Sequence, residues 1–338
     1  MSFMSRLLAR HWFLAGLALV IGGGLFLGAP LAESFQTPET RQITESAARW
    51  LTAVILFLTA ITLPGNRLAA AAQAPRSVLW ATLVNFVVLP LLAWPLSQCQ
   101  AHADYRLGIV ITASVPSTMA SAAVWTRRAG GNDAIALLVT ILTNGLCFLI
   151  TPLWLSFLVG STVGLDTRRL ILDLVICALL PIALGQGLRR LPGPGAFADR
   201  HQLRISFCAQ ICILGVVFGS ALRAGPQFAT SWQSQGISTL IGLVLSMSGL
   251  HLAALALAWW GGKSVGLSQE DRLAAAFSGS QKTLPIGVYL ASRMAAQGAS
   301  GLVIFPVLIY HVAQLFIDSL ATEFFRNRTV PESNRESP

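Results

Sequence analysis

Charge is what this sequence has least of. Of its 338 residues only 11% are Asp, Glu, Lys or Arg, against 54% hydrophobic, and mean hydropathy is +0.66. A soluble domain usually carries about 25% charged residues, so an ordinary cytosolic enzyme is excluded at the outset. Acidic residues number 14, and there are only two lysines, Lys263 and Lys282. The five cysteines (Cys99, Cys147, Cys177, Cys208, Cys212) show no C-x-x-C spacing and sit mostly in apolar blocks, where they read as small hydrophobes. H-E-x-x-H, G-x-S-x-G and G-x-x-x-x-G-K-[ST] are all missing. With them go the zinc hydrolase, the serine hydrolase and the ATP-driven pump. Neither an enzyme nor a resident cofactor or metal is expected.

Long apolar runs are present instead. A helix needs roughly 20 apolar residues to cross a hydrocarbon core of about 30 Å. Ten such blocks fall near 12–27, 50–63, 78–96, 107–126, 134–159, 170–188, 205–222, 237–260, 273–294 and 302–325. Arg6 and Arg10 before the first block and Ala32 after it resemble a secretory signal. The regular charge bias of the loops favours a retained first helix. With the N-terminus in the cytoplasm, inside segments carry 15 basic residues and outside segments 7, with Lys282 within a span. That asymmetry places both termini in the cytoplasm of a bacterial-type inner (plasma) membrane. The net charge of +9 and pI near 10.2 are then loop charge rather than a nucleic-acid patch, and the surrounding partner is lipid.

Ten spans divide into five and five, and an odd number per half inverts the second half relative to the first. The expected fold is an all-α polytopic membrane protein of two inverted five-helix repeats, 1–160 and 161–326, with a short cytoplasmic tail at 327–338. The fourth span of each half pairs proline with small hydroxyl residues: Val115-Pro116-Ser117-Thr118-Met119-Ala120-Ser121, and Ser278-Gly279-Ser280-Gln281-Lys282-Thr283-Leu284-Pro285. Proline removes a donor and crowds the preceding turn, freeing carbonyls near mid-membrane. These are either simple kinks or a pair of broken helices. Lys282 lies near the bilayer centre, where a charge costs at least about 2.5–3.5 kcal/mol, so it should face a cavity, a carbonyl cluster or an anion.

Other polar residues share helical faces: Thr140 with Asn144, and His311 with Gln314 and Asp318. With Asn85, they serve either as interhelical hydrogen-bonding glue or as ligands. His311 reads as a proton site or a packing histidine. Asp173 reads as an interfacial partner of the nearby Arg168 and Arg169. Gly24 and Gly28 form a G-x-x-x-G that suits packing within the bundle or between subunits, so oligomeric state stays open.

Several of these stretches resemble the bile acid:sodium symporter family, over about residues 10–326. They are Asn85-Phe86-Val87-Val88-Leu89-Pro90, Val115-Pro116 with Ala120-Ser121, Thr151-Pro152, Pro181-Ile182-Ala183-Leu184-Gly185 and Tyr310-His311. The resemblance implies a core and a panel domain with two broken crossing helices, moving an organic anion with Na+ by alternating access. It places one sodium site at Ser117 and Thr118 (within the 117–122 stretch) with Thr140 and Asn144, and a second at Asn85 and Gln281. For substrate, Ser121, Lys282, Thr283 and His311 are the candidates. The chain departs from the family where a liganding glutamate would fall, near Phe277 or Ser278, and its Gly-Ser-Gln-Lys segment marks a divergent branch. Lys282 would then stand in for one sodium or serve as the coupling proton group. The alternatives are a sodium-independent or proton-coupled carrier of the same fold, or a non-transporting membrane regulator.

Overall fold

The computed structural model describes residues 3–31, 37–64, 73–119, 121–163 and 165–329, with helices and turns and no strand among them. Arg67, Ala32, Ala120 and residues 330–338 of the expected tail lie outside the described residues. In chain order the helices are α1 (Phe3–Gly28), α2 (Pro38–Ile61), α3 (Pro75–Gln98), α4 (Ala103–Ser114), α5 (Ala122–Arg128), α6 (Asp133–Val163) and α7 (Thr167–Arg189). There follow α8 (Pro192–Arg200), α9 (Gln202–Ser231), α10 (Gly236–Ser264), α11 (Gln269–Ser280), α12 (Leu284–Ala296) and α13 (Phe305–Thr329), the last entered through a 3-10 turn at Gly301–Ile304.

Among the described residues, 7 helices are long and apolar enough to cross a membrane: α2, α3, α6, α7, α9, α10 and α13. A shorter apolar stretch, Trp12–Gly28, lies within α1. The chain is an integral, multi-pass membrane protein. Its outer face carries Leu153, Phe157 and Leu245, large apolar side chains left exposed on spanning helices, as suits a surface solvated by hydrocarbon.

Helix starts follow from local chemistry. Thr37 accepts from the Thr40 amide ahead of Pro38, and Ser268 accepts from the Asp271 amide while Glu270 and Asp271 complement the dipole of α11. Between α9 and α10 the chain passes through Gly236 at φ +69°, a left-handed conformation that glycine adopts without a Cβ penalty. The nine-residue α8 was not expected from the apolar pattern, because Gly, Pro and charge interrupt any apolar run there.

The G-x-x-x-G of α1 packs within the chain. A β-carbon at Gly28 would run into the carbonyl oxygen of Leu222, and one at Gly24 into the side chain of Ala221, both on α9. Gly22 and Gly23 have nothing near them. Overpacking costs about 1–3 kcal/mol, and here the obstacle is backbone. Gly28→Leu is therefore expected to lower the melting temperature in detergent by several degrees while Gly22→Leu leaves it unchanged. Equal behaviour of the two would break the close α1–α9 contact.

Candidate functional site

The site begins with a turn of α3 that is too wide. Val84–Val88 form one π-helical turn, in which the Leu89 amide donates to the carbonyl of Val84 rather than Asn85. The next residue is Pro90, which has no N–H. The Asn85 carbonyl thus has no main-chain donor within reach, and the Phe86 carbonyl loses the one four residues on. Lys282 Nζ donates to the first at 2.7 Å and Trp154 Nε1 to the second at 2.6 Å. The same combination recurs in α7, where a π turn at Val175–Leu179 precedes Leu180-Pro181.

Two helical pairs are interrupted. Between α4 and α5 the backbone is extended from Val115, and between α11 and α12 it is extended at Gln281 and Thr283. A helix end leaves carbonyls without partners, which in an apolar interior costs free energy unless something else donates. At the first break, Thr151 Oγ1 donates to Ser114 O (2.8 Å), Lys282 Nζ to Val115 O (2.7 Å), the Thr283 amide to Pro116 O (2.9 Å) and Asn144 Nδ2 to Ser117 O (2.7 Å). At the second, Asn85 Nδ2 donates to Gly279 O (3.1 Å) and Gln281 O (3.0 Å), and Tyr310 Oη to Ser280 O (2.6 Å). Gln314 takes both sides of one peptide residue, accepting from the Lys282 amide at 2.9 Å and donating to the Lys282 carbonyl at 3.1 Å. The helix following each pair shares this work: α6 supplies Thr151 and Asn144 at the first break, beside Lys282 and Thr283, and α13 supplies Tyr310 and Gln314 at the second, beside Asn85 of α3. The breaks also bond directly to each other through Thr283 and Pro116.

Beside the second break lies a wholly buried pair. His251 Nε2 is 2.9 Å from Asp318 Oδ1, both residues at 0% exposure. Asp318 Oδ2 accepts from Gln281 Nε2 at 2.5 Å, and Gln281 Oε1 in turn accepts from Ser121 Oγ at 3.0 Å. His251 Nδ1 is 3.3 Å from the Tyr310 hydroxyl. That hydroxyl donates to the Ser280 carbonyl and turns its oxygen toward His251.

Most of the expected site residues converge here. Asn85, Ser121, Gln281, Lys282 and Thr283 join one network, while His311 touches it only through Gln314 (2.9 Å). Ser117, Thr118, Thr140 and Asn144 form a second buried group beside the first break. Within it Thr140 Oγ1 turns back to Leu137 O, its own carbonyl accepts from Asn144, and Ser117 accepts through its backbone. Ser117 Oγ and Asn144 Oδ1 are buried and have no hydrogen-bond partner. His251, Tyr310, Thr143, Thr151 and Trp154 were not singled out as site residues. The signal for His251 was an ionisable residue inside the apolar run 237–260.

Two clefts flank the site. The larger, about 780 Å³, is lined among others by Thr62 of the loop after α2, Met119, Ala123 and Arg127 around α5, and Arg189 at the end of α7. The smaller, about 280 Å³, is lined by Arg49 in α2, Arg169 in α7, and Tyr289, Ser292 and Arg293 in α12. The clefts thus lie at opposite ends of the spans α2 and α7, one beside α5 and the other beside α12. The smaller is bridged by Asp173, whose partners are Arg293 (2.7 Å) and Arg49 (3.7 Å) rather than the neighbouring Arg168 or Arg169. At the larger, Arg127 is paired with Asp133, and Arg189 holds Ile61 O and Asp199.

Interrupted helices with their broken ends inside a multi-pass bundle are the mark of a membrane transporter, not of an enzyme. The chain belongs to the SBF-like CPA transporter family, whose model matches residues 11–327, and so to the bile acid:sodium symporter family. It is similar to the probable sodium/metabolite cotransporter BASS4, chloroplastic, of Oryza sativa subsp. japonica, at 29% identity over 84% of this chain and 70% of that one. Similarity to sodium/bile acid cotransporter 7 of Danio rerio is 24% over 92% of each. The putative symporter YfeH of Escherichia coli (strain K12) is 23% identical over 82% of this chain and 83% of its own. The protein is a membrane transporter.

Proposed function

We propose that the chain carries an organic anion across an inner membrane together with Na+, by alternating access. Adding α1 and the interrupted pairs α4–α5 and α11–α12 to the seven long spans gives ten crossings, arranged as two inverted repeats at 1–160 and 161–326. The core consists of the two crossing pairs with α3, α6, α10 and α13. The panel is α1, α2, α7 and α9. One observation carries the reading: the second half of each interrupted pair lines its own cleft, and the two clefts sit at opposite ends of the same panel spans. Matching service of the breaks by α6 and α13 supports the repeat.

The larger cleft bears Arg127, Arg189 and Arg190, which the positive-inside rule puts in the cytoplasm with both termini. The conformation is then inward-open, with Asp173, Arg293 and Arg49 closing the outside. Substrate would enter beside α5 and approach Ser121, Thr283, His311 and Lys282 from there. For sodium, the unpartnered Ser117 Oγ and Asn144 Oδ1 fit a hard monovalent cation, with Thr118 and Thr140 beside them. Asn85 and Gln281, the second expected cation-binding group, already have their side-chain oxygens engaged, Asn85 Oδ1 by Lys282 Nζ (3.3 Å) and Gln281 Oε1 by Ser121 Oγ (3.0 Å).

Uptake of labelled organic acids into proteoliposomes tests this, with a sodium gradient, a proton gradient, and neither. Sodium-driven accumulation is the expected result. Accumulation driven by protons alone overturns sodium coupling, and no uptake of any anion under any gradient favours a membrane regulator.

A further inference from the structure

Lys282 is the one site residue that sodium-coupled transport does not explain. Its side chain is buried at 2% exposure, and Nζ touches three oxygens: Asn85 O and Val115 O at 2.7 Å each and Asn85 Oδ1 at 3.3 Å. No carboxylate lies within ion-pair distance of it among the described residues. The nearest acid in its network, Asp318, is already matched by His251 and Gln281. Nor does Lys282 line either cleft. Nζ is therefore held by carbonyl dipoles, two of them main-chain carbonyls freed by Pro90 and by the break after Ser114, with the Phe86 ring centroid 5.9 Å away. Neutral carbonyl oxygens converging on a single charge, with no counter-ion, are the chemistry of a monovalent cation site.

We propose that Asn85 O, Asn85 Oδ1 and Val115 O form a sodium-type cation site permanently filled by the chain's own ammonium. The occupant is tethered, so it is never released to either side. One positive charge that a mobile ion would contribute to each transport cycle stays with the protein. Removing the side chain vacates the site and leaves three buried acceptors without a donor, which a small cation can satisfy. This rests on the transporter reading only in its consequence for coupling; the site itself stands on the geometry.

The test counts sodium. Radiolabelled Na+ alone is bound to the purified full-length protein in nanodiscs, as wild type, Lys282→Ala and Lys282→Met. Lys282→Ala is expected to hold one more sodium per chain than wild type. Lys282→Met keeps the stem in place without the charge and is expected to gain none. An unchanged count in Lys282→Ala overturns the proposal. Should Lys282→Ala fail to survive purification in sodium-free buffer, its thermal stability after purification in NaCl and in choline chloride decides. Stabilisation specific to sodium supports a vacated cation site, and equal loss in both salts overturns it. A wild-type count of zero would remove sodium coupling from the proposed function and leave this inference to be settled by the difference between variants.

Discussion

Asn85→Leu is expected to cost about 3–5 kcal/mol of stability, read as a fall in melting temperature in detergent and a loss of folded protein on extraction. Leucine matches the branched shape and heavy-atom count of asparagine, though its methyl groups are bulkier. What disappears is the amide that caps Gly279 O and Gln281 O and the oxygen that contacts Lys282 Nζ. Each buried carbonyl left without a donor costs about 1–3 kcal/mol, and at least two are left. Asn85→Asp separates the two roles: it keeps the oxygen facing Lys282 and turns a donor into a carboxylate facing two carbonyls. It should fold better than the leucine variant and less well than wild type. A leucine variant that melts like wild type would mean that the end of α11 is not held by α3.

Asp318→Leu is expected to be as damaging, at about 3–5 kcal/mol, because it leaves His251 Nε2 and Gln281 Nε2 buried with no partner. The informative comparisons are two. Asp318→Asn preserves shape, offering its oxygen to Gln281 and its amide to a neutral His251, and should retain most of the stability. The double variant His251→Leu with Asp318→Leu removes the whole pair and should recover a good part of what the single variant loses, since apolar replacement of a buried pair is often neutral or better. A double variant that loses the sum of the two single losses would show that the pair stabilises the bundle by more than mutual compensation. The interaction energy from the cycle, measured by thermal or denaturant melting, reads this directly.

Much of this site was legible one residue at a time. Polar groups in apolar runs stand out because each is costly there, and that cost pointed to Asn85, Thr140, Asn144 and Lys282 before any contact was known, while Gln281 came from the family resemblance. Proline beside hydroxyl residues marked both breaks. Partnership was harder to read. Asp318 was visible as a member of a helical stripe with His311 and Gln314, yet its partner comes from α10, about 67 residues earlier in the chain, and no spacing rule links the two. Asp173 shows the same limit: its nearest basic neighbours in sequence are Arg168 and Arg169, while its partners in space come from α2 and α12. The π turn of α3 was hidden for another reason. Pro90 announces a disturbance, but whether a helix answers with a kink or a wider turn depends on what stands ready to take the freed carbonyls. Here Lys282 and Trp154 do, from the second break and from α6 respectively.

The bond from the Thr283 amide to Pro116 O, together with Lys282 reaching Val115 O, has a mechanical meaning. Two chain interruptions would ordinarily be two hinges. Laced to each other across the middle of the bilayer, they become a strut. The stiff part of the molecule is then its centre. Under the alternating access proposed above, movement between the two membrane faces would fall to the seams along α2, α7 and α9, where side chains rather than backbone dihedrals must give way, and the centre would shift as one piece between rails.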